Sequence, residues 1–180
     1  MIMKQFKLFL AAALGIFAPL ALHAHEGCQG SQCPAHAHGH TRNEIGVSTG
    51  PTYAHEEWVP SIHVHYFRKL SDHSRMSLGA MVEHVWGHDN HLTVGIGIKV
   101  EPLRGLSLSV MPGVTLFDHD DNNGSNGNEH DRAFTTHVEL VYDLLHFGNF
   151  HLGPAICYAF SPTANKHSHL MVGVHLAVCF

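Results

Sequence analysis

An alternation of large apolar residues with small or polar ones runs through the last thirteen residues of the chain. In residues 168–180, every second position from Leu170 to Phe180 is large and apolar, and the positions between them hold small or polar residues. A period of two predicts a β-strand with one apolar face. Seven earlier runs between residues 44 and 160 repeat the pattern, so we predict eight strands of this kind.

Charged residues occupy only one of the two predicted faces. Across the eight runs the apolar register contains no Asp, Glu, Lys or Arg. The opposite register holds Glu44, Arg75, Glu83, Lys99, Glu139 and Asp143. A charge at mid-depth on the lipid face of a barrel costs about 2–4 kcal/mol. The separation therefore indicates that the apolar face meets hydrocarbon.

Aromatic residues of the apolar register fall at or near the ends of the runs, as in the interface girdles of membrane barrels. They are Tyr53, Trp58, Tyr66, Trp86, Phe134, Tyr142, Phe150, Tyr158, Phe160 and Phe180. Charged residues make up 14% of the chain, against roughly 25% in soluble globular proteins. Both observations favour an all-β fold, an eight-stranded antiparallel transmembrane up-and-down β-barrel.

The connections between the runs alternate in length. Compact turns follow the second, fourth and sixth runs, and a long acidic loop at residues 118–132 follows the fifth. This matches short periplasmic turns and longer external loops, and an even strand count puts both termini in the periplasm. A closed barrel has no edge strand for proline. We therefore expect Pro51, Pro60, Pro112 and Pro154 near strand ends or at bulges.

The N-terminal segment is typical of secretion. Lys4 and Lys7 precede an apolar run at residues 8–22, and Ala24 offers a small residue for cleavage. We predict a signal peptide at residues 1–24. The alternative is a retained anchor helix, which the run of about 15 apolar residues is too short to favour, since a spanning helix needs about 20. Residues 25–42 are then a flexible His/Cys-rich periplasmic tail, and residues 43–180 form the barrel.

Residues 43–180 resemble the small eight-stranded outer-membrane barrels of the OmpA and OmpX type. The resemblance rests on the eight runs, the aromatic girdles and the terminal HLAVCF. It implies a bacterial outer-membrane location in contact with lipid, and recognition of the strand ending at Phe180 by the barrel-assembly machinery. Barrels of this size are filled by side chains, so an open pore is not expected. We expect a monomer, and a net charge of -5 without basic clusters argues against nucleic acid as a partner.

Histidine is the unusual component, with 20 residues in the chain. Imidazole, thiolate and carboxylate groups bind zinc, nickel and copper. The candidate metal ligands are His25, Cys28, Cys33, His36, His38 and His40 in the tail, and His88, His91, His119, His130, His167 and His169 at the external end. Two alternatives remain open: a Cys28–Cys33 disulfide beside a solvated histidine stretch, and an ordinary hydrophilic loop surface.

A second group of polar residues is predicted to point into the lumen. Its members are His63, Glu83, His137, Glu139 and His175. They could be mutually satisfied polar packing, as buried charges are normally paired, or an internal relay or binding site. Cys157 and Cys179 lie near opposite ends of the predicted barrel, so we expect them not to pair with each other.

Three functions fit this chain. The leading hypothesis is capture of transition-metal ions, zinc first, for metal homeostasis, with delivery to a metal-transport partner. The second is a structural or adhesive barrel with no metal role. The third is a lipid A deacylase or acyltransferase, for which the only comparable cluster is His167-Ser168-His169. That cluster lacks the His-x-Ser-Asn-Ala pattern associated with the deacylases and has no positioned acid, so we predict no catalytic residues.

Overall fold

The computed structural model describes residues 42–87, 90–118, 132–162 and 168–180, and all the regular structure in these ranges is β. The strands are β1 (Asn43–Ala54), β2 (Glu57–Lys69), β3 (Met76–Val85), β4 (Asn90–Leu103), β5 (Leu106–Asp118), β6 (Arg132–Tyr142), β7 (Leu145–Phe147), β8 (Phe150–Phe160) and β9 (His169–Cys179). Within these ranges no helix is long and apolar enough to cross a membrane.

The strands form one closed antiparallel sheet. Each of β1 to β5 pairs with the next strand, β8 pairs with β9, and the circle closes through the β6–β8 and β1–β9 pairings. The three-residue β7 also pairs with β8 and continues the position of β6 along it. Because β6 and β7 together form one wall strand, the fold is an eight-stranded up-and-down barrel, which confirms the predicted fold class.

The two faces of every strand follow the predicted registers. Apolar side chains such as Ile96 (70% exposed) and Val94 (50%) point outward, while their neighbours Thr93 and Gly95 are buried. Most of the buried side chains in the described ranges are polar or charged. The barrel is therefore inverted relative to a soluble protein, since its outside is apolar and its interior is polar.

One side of the lumen is apolar. Phe67 of β2, Met81 of β3 and Met111 of β5 are fully buried and form a cluster between the polar groups. Two aliphatic thioether chains and one ring fill this space, and methionine adapts readily to irregular gaps. The ionisable lumen residues lie beside this cluster.

The prolines interrupt the sheet on one side only. Pro112 lies in the middle of β5, away from the predicted strand end or bulge, and pairs with Thr136 of β6. On its other side the β4–β5 ladder skips the positions opposite Pro112 and Met111 and resumes in the same register. The β1–β9 ladder likewise skips Pro51. Because proline has no N–H to donate, the barrel loses a local bond at these positions without a change of register.

The first and last residues of the barrel segment form hydrogen bonds with each other at one end of the barrel. The Asn43 N–H donates to the Phe180 carbonyl (3.0 Å), and the Phe180 N–H donates to the Asn43 carbonyl (2.9 Å). Arg42 donates to Asp72 in the β2–β3 turn (2.8 Å). This hydrogen bond, and then the charge of Asp72, raise the pKa of Arg42. We call this end, which also holds the β4–β5 and β7–β8 turns, the terminal end, and the opposite end the far end.

The β1–β2 turn at the far end has two residues in left-handed conformation, His55 (φ 50°) and Glu56 (φ 69°). A two-residue hairpin with positive φ at both positions matches the twist of the strands, but glycine or asparagine usually occupies it. The side chains of His55 and Glu56 therefore make this turn strained.

Replacing Ile96 by arginine tests the hydrocarbon face. We expect Ile96→Arg to destabilise the barrel in lipid vesicles by about 2–4 kcal/mol, because the charge lies at mid-depth. Leu70→Arg, in the terminal-end turn and also exposed, is the control and should cost little. Urea unfolding followed by tryptophan fluorescence measures both. Equal costs for the two variants would contradict a lipid-facing band.

Replacing Glu56 by glycine tests the strained turn. We expect Glu56→Gly to stabilise the barrel by about 1 kcal/mol, because glycine adopts positive φ without a steric penalty. Glu57→Gly, one residue later in β2, should instead destabilise it by about 0.5–1 kcal/mol, as glycine does inside a strand. A loss of stability in both variants would show that the turn is not strained.

Candidate metal centre

Six buried histidines line the lumen. They are His63 and His65 of β2, His91 of β4, His137 of β6, and His169 and His175 of β9. Each lies on the inward register, so the alternation that directs apolar residues outward also directs these imidazoles inward. None is more than 4% exposed.

The six rings form a continuous column, which we call the histidine column. From the far end, the ring centroids of His91 and His169 are 5.1 Å apart, and those of His169 and His137 are 5.6 Å apart. His137 and His63 follow at 6.3 Å, and His63 and His65 at 5.4 Å. The column ends with His65 stacked on His175 at 5.1 Å. Four strands contribute to it, so it depends on barrel closure.

Glu83 lies beside the part of the histidine column that is nearest the far end. Its Oε2 lies 3.0 Å from His169 Nε2 and 3.5 Å from His137 Nδ1. Cys157 Sγ lies 3.8 Å from His137 Nδ1. Potential ligand atoms of Glu83, His91 and His169 all lie within 4.8 Å of one another, as do those of Glu83, His137 and Cys157. We call these five residues the Glu83 centre.

Glu139 is the focus of the middle of the column. It accepts a hydrogen bond from Ser48 Oγ (2.6 Å) and lies 3.7 Å from both His63 Nδ1 and His65 Nδ1. Ligand atoms of His63, His65 and Glu139 also lie within 4.8 Å of one another. These three residues are the Glu139 centre.

Two further groups lie toward the terminal end. The first is the Glu44 centre, which consists of Glu44, His65 and His175. His65 Nε2 is 3.5 Å from Glu44 Oε1 and 3.3 Å from His175 Nε2. Glu44 also pairs with Lys99.

The second of these groups is the Asp143 centre, which consists of Asp143, His146 and His151. His151 Nδ1 is 3.4 Å from Asp143 Oδ2, and His175 Nδ1 is 3.9 Å from Asp143 Oδ1. Asp143 therefore connects this centre to the end of the histidine column.

Several ligand atoms in the lumen have no hydrogen-bond partner among the described residues. They include both ring nitrogens of His63, Glu83 Oε1, His137 Nε2, His169 Nδ1 and His175 Nδ1. Buried polar groups are hydrogen-bonded in the large majority of cases, and each exception costs about 1–3 kcal/mol. These nitrogen and oxygen atoms are therefore available to bind a cation or a water molecule.

The fixed charges of the deep lumen do not balance. Three carboxylates, Glu44, Glu83 and Glu139, face one ammonium group, Lys99, among its buried or mostly buried described residues. With neutral imidazoles this leaves two negative charges. Either one divalent cation or two imidazolium groups would neutralise them.

The predicted external ligands divide between described and undescribed residues. The tail residues His25, Cys28, Cys33, His36, His38 and His40, and the loop residues His88, His119, His130 and His167, lie outside the described ranges. His91 and His169 lie at the far end, where we expected them. However, their side chains are buried in the lumen and do not form part of a hydrophilic loop surface, because each occupies the inward register of its strand.

All five residues of the predicted lumen group are buried and face inward: His63, Glu83, His137, Glu139 and His175. Sequence reasoning omitted His65, Glu44 and Cys157 from this group, although each lies on the inward register. The alternation was a sufficient signal for their direction. It carried no signal for which residues of non-adjacent strands meet across the barrel.

Cys157 and Cys179 are both free, in agreement with the expectation that they do not pair with each other. Cys157 is fully buried and contributes to the Glu83 centre. His169, which belongs to the cluster considered for lipid A chemistry, contacts Glu83 inside the barrel. Its imidazole is therefore directed away from the lipid surface on which an acyl chain would lie.

No protein-family model matches the chain, and no curated protein matches it. Among solved structures, the N-terminal β-barrel domain of Pseudomonas aeruginosa OprF aligns with a TM-score of 0.51 and 12% identity, over 77% of this chain and 98% of that one. Neisserial surface protein A aligns with a TM-score of 0.50 and 8% identity, over 77% of this chain and 96% of that one. The chain has the fold of the small outer-membrane barrels.

Gly46 provides the space for the Glu44 centre. A Cβ at this position would lie 2.2 Å from His65 Nε2 and 2.6 Å from His175 Nε2. These distances are far below van der Waals contact, so any larger residue would displace both imidazoles. Glycine here is a packing requirement of the histidine pair.

We expect Gly46→Ala to destabilise the barrel by about 1–3 kcal/mol through overpacking. In the double variant Gly46→Ala/His65→Ala, removal of one imidazole makes room for the methyl group, so part of that loss should be recovered. A double-mutant cycle of urea unfolding in vesicles measures the coupling between the two sites. Strictly additive costs would contradict the contact between Gly46 and the histidine pair.

Proposed function

We propose that the chain is an outer-membrane barrel that binds a divalent transition-metal ion, zinc in the first place, inside its lumen. The Glu83 centre is the primary site, and the far end faces the exterior. The histidines and cysteines of residues 25–42 and of the far-end loops are additional ligands that raise the local metal concentration. The protein would serve metal capture and homeostasis, with delivery to a partner on the periplasmic side.

The convergence of four potential ligands on one buried carboxylate is the observation that supports this proposal. Three imidazoles and a thiol surround Glu83, whose Oε1 has no hydrogen-bond partner within the part of the chain that the structure describes. Zinc binds imidazole, thiolate and carboxylate groups, usually four at a time. A zinc ion here would also neutralise the two excess negative charges of the deep lumen.

A cleft of about 350 Å³ lies at the far end and is lined by His91, Phe117 and Arg132. Outward-register residues, His84, Leu92 and Leu116, also line it. His91 is thus both a lining residue of the cleft and a member of the Glu83 centre. We propose that an ion reaches this centre from the far end by way of His91.

A structural or adhesive barrel is the alternative, and the existing ion pairs favour it. Each of Glu44, Glu83 and Glu139 already lies within 4 Å of an imidazole nitrogen. If two of those imidazoles are protonated, the three carboxylates and Lys99 are balanced without a metal. Two of the similar structures are named as a surface protein and as a β-barrel domain, and neither name states a catalytic activity.

Calorimetric titration of the refolded full chain tests metal binding. To isolate the lumen, the six tail ligands are replaced by alanine or serine, and zinc, nickel and copper are titrated separately. We expect zinc to bind well below millimolar concentration, and Glu83→Gln to weaken binding by about tenfold or more, which is about 1.4 kcal/mol. Affinity should fall as pH is lowered, because protons compete for the imidazoles.

The control is Glu101→Gln, at the terminal end beside Lys69, which should leave zinc affinity unchanged. If none of the three metals binds tighter than about 1 mM, where the binding free energy is only about −4 kcal/mol, the metal hypothesis is wrong. The alternative predicts that outcome together with reduced stability of Glu83→Gln, since one ion pair is lost.

A further inference from the structure

The candidate metal centres overlap along the barrel. The two triads of the Glu83 centre share Glu83, and the Glu139 and Glu44 centres share His65. Asp143 lies beside His175 of the Glu44 centre and belongs to the Asp143 centre. An ion held in the Glu139 centre therefore already contacts His65, a ligand of the Glu44 centre, whereas the Glu83 and Glu139 centres share no residue.

His63 and His137 bridge that remaining interval, with ring centroids 6.3 Å apart. His63 is fully buried, and neither of its ring nitrogens has a hydrogen-bond partner among the described residues, although Nδ1 lies 3.7 Å from Glu139 Oε1. His137 Nε2 is also without a described hydrogen-bond partner. Each ring therefore has an Nε2 atom available in the interval between the Glu83 and Glu139 centres, which share no residue.

A hydrated ion does not fit through this lumen. Phe67, Met81 and Met111 fill the side of the barrel beside the column, and barrels of eight strands have interiors just filled by side chains. An ion could advance only by exchanging its water for protein ligands, one centre after another. Imidazole and carboxylate ligands favour zinc and similar metals, whereas calcium prefers six to eight oxygen ligands.

We propose that the histidine column is a path along which a divalent transition-metal ion crosses the barrel. The ion passes from the Glu83 centre through His137 and His63 to the Glu139 and Glu44 centres, and leaves by the Asp143 centre. This inference rests on the proposed metal-binding function and adds translocation to it. At the Glu44 centre the ion competes with Lys99, which is the resident cation on Glu44.

Zinc flux into sealed vesicles tests the path. The full chain is reconstituted in phosphatidylcholine and phosphatidylglycerol vesicles that contain a zinc-sensitive fluorescent chelator, with potassium and valinomycin to balance charge. External zinc should enter faster than into protein-free vesicles, and calcium should not. Calcium entry at the rate of zinc would overturn the proposal, because a nonspecific leak would then explain the flux.

His63→Phe is the decisive variant, because it keeps an aromatic ring but removes both ring nitrogens. His63 is not a member of the Glu83 centre, so that centre keeps all its ligands. We expect zinc entry to fall by about tenfold or more, while calorimetric zinc affinity at the Glu83 centre is unchanged. His73→Phe is the matched control, since His73 is exposed in the β2–β3 turn at the terminal end and belongs to none of the candidate centres, and its flux should equal that of the wild type. His63→Gln replaces His63→Phe if circular dichroism shows that the latter does not fold.

The outcomes separate the two proposals. Zinc binding at the Glu83 centre without flux above protein-free vesicles would overturn the path and leave metal binding intact. Absence of both would overturn both. A folded His63 variant with wild-type flux would show that ions do not follow the histidine column, and would overturn the path even if flux is observed.

Discussion

Closure of the backbone hydrogen-bond circle is the constraint on which the rest of this structure depends. In hydrocarbon no water is available to satisfy an unpaired N–H or C=O group, so a membrane sheet must leave no edge. The β1–β9 and β6–β8 pairings remove the edges here. Once the circle is closed, the period of two assigns every side chain to lipid or to lumen. Proline at positions 51 and 112 is tolerated because each interrupts the ladder on one side and leaves the register unchanged.

Enclosure in turn determines how the polar lumen behaves. Carboxylates that are cut off from bulk water require a positive or hydrogen-bonding partner, and the imidazoles of the histidine column supply most of the contacts. The apolar flank of Phe67, Met81 and Met111 excludes polarisable solvent from one side. Interactions between charges and dipoles are stronger in such surroundings than in water. A positive charge inside such a lumen therefore interacts strongly with Glu44, Glu83 and Glu139.

The sequence predicted which side chains face outward and which face the lumen much better than it predicted the contacts among the lumen residues. Alternation alone gave the direction of His63, Glu83 and His175, because that direction depends only on the position within a strand. It could not show that Glu83 meets His169, 86 positions away, since that contact depends on the stagger between non-adjacent strands. The tight hairpin at His55 and Glu56 could not be predicted either, because neither histidine nor glutamate is a residue type that usually adopts a positive φ.

The reciprocal bonds between Asn43 and Phe180 join residues 137 positions apart. Contacts of such long sequence separation slow folding, because a large loop must close before the contact is made. Until β9 arrives, β1 presents an open edge that could pair with another chain. We therefore expect the pairing of β1 with β9 to be a slow step in forming this barrel, during which β1 needs protection from other chains.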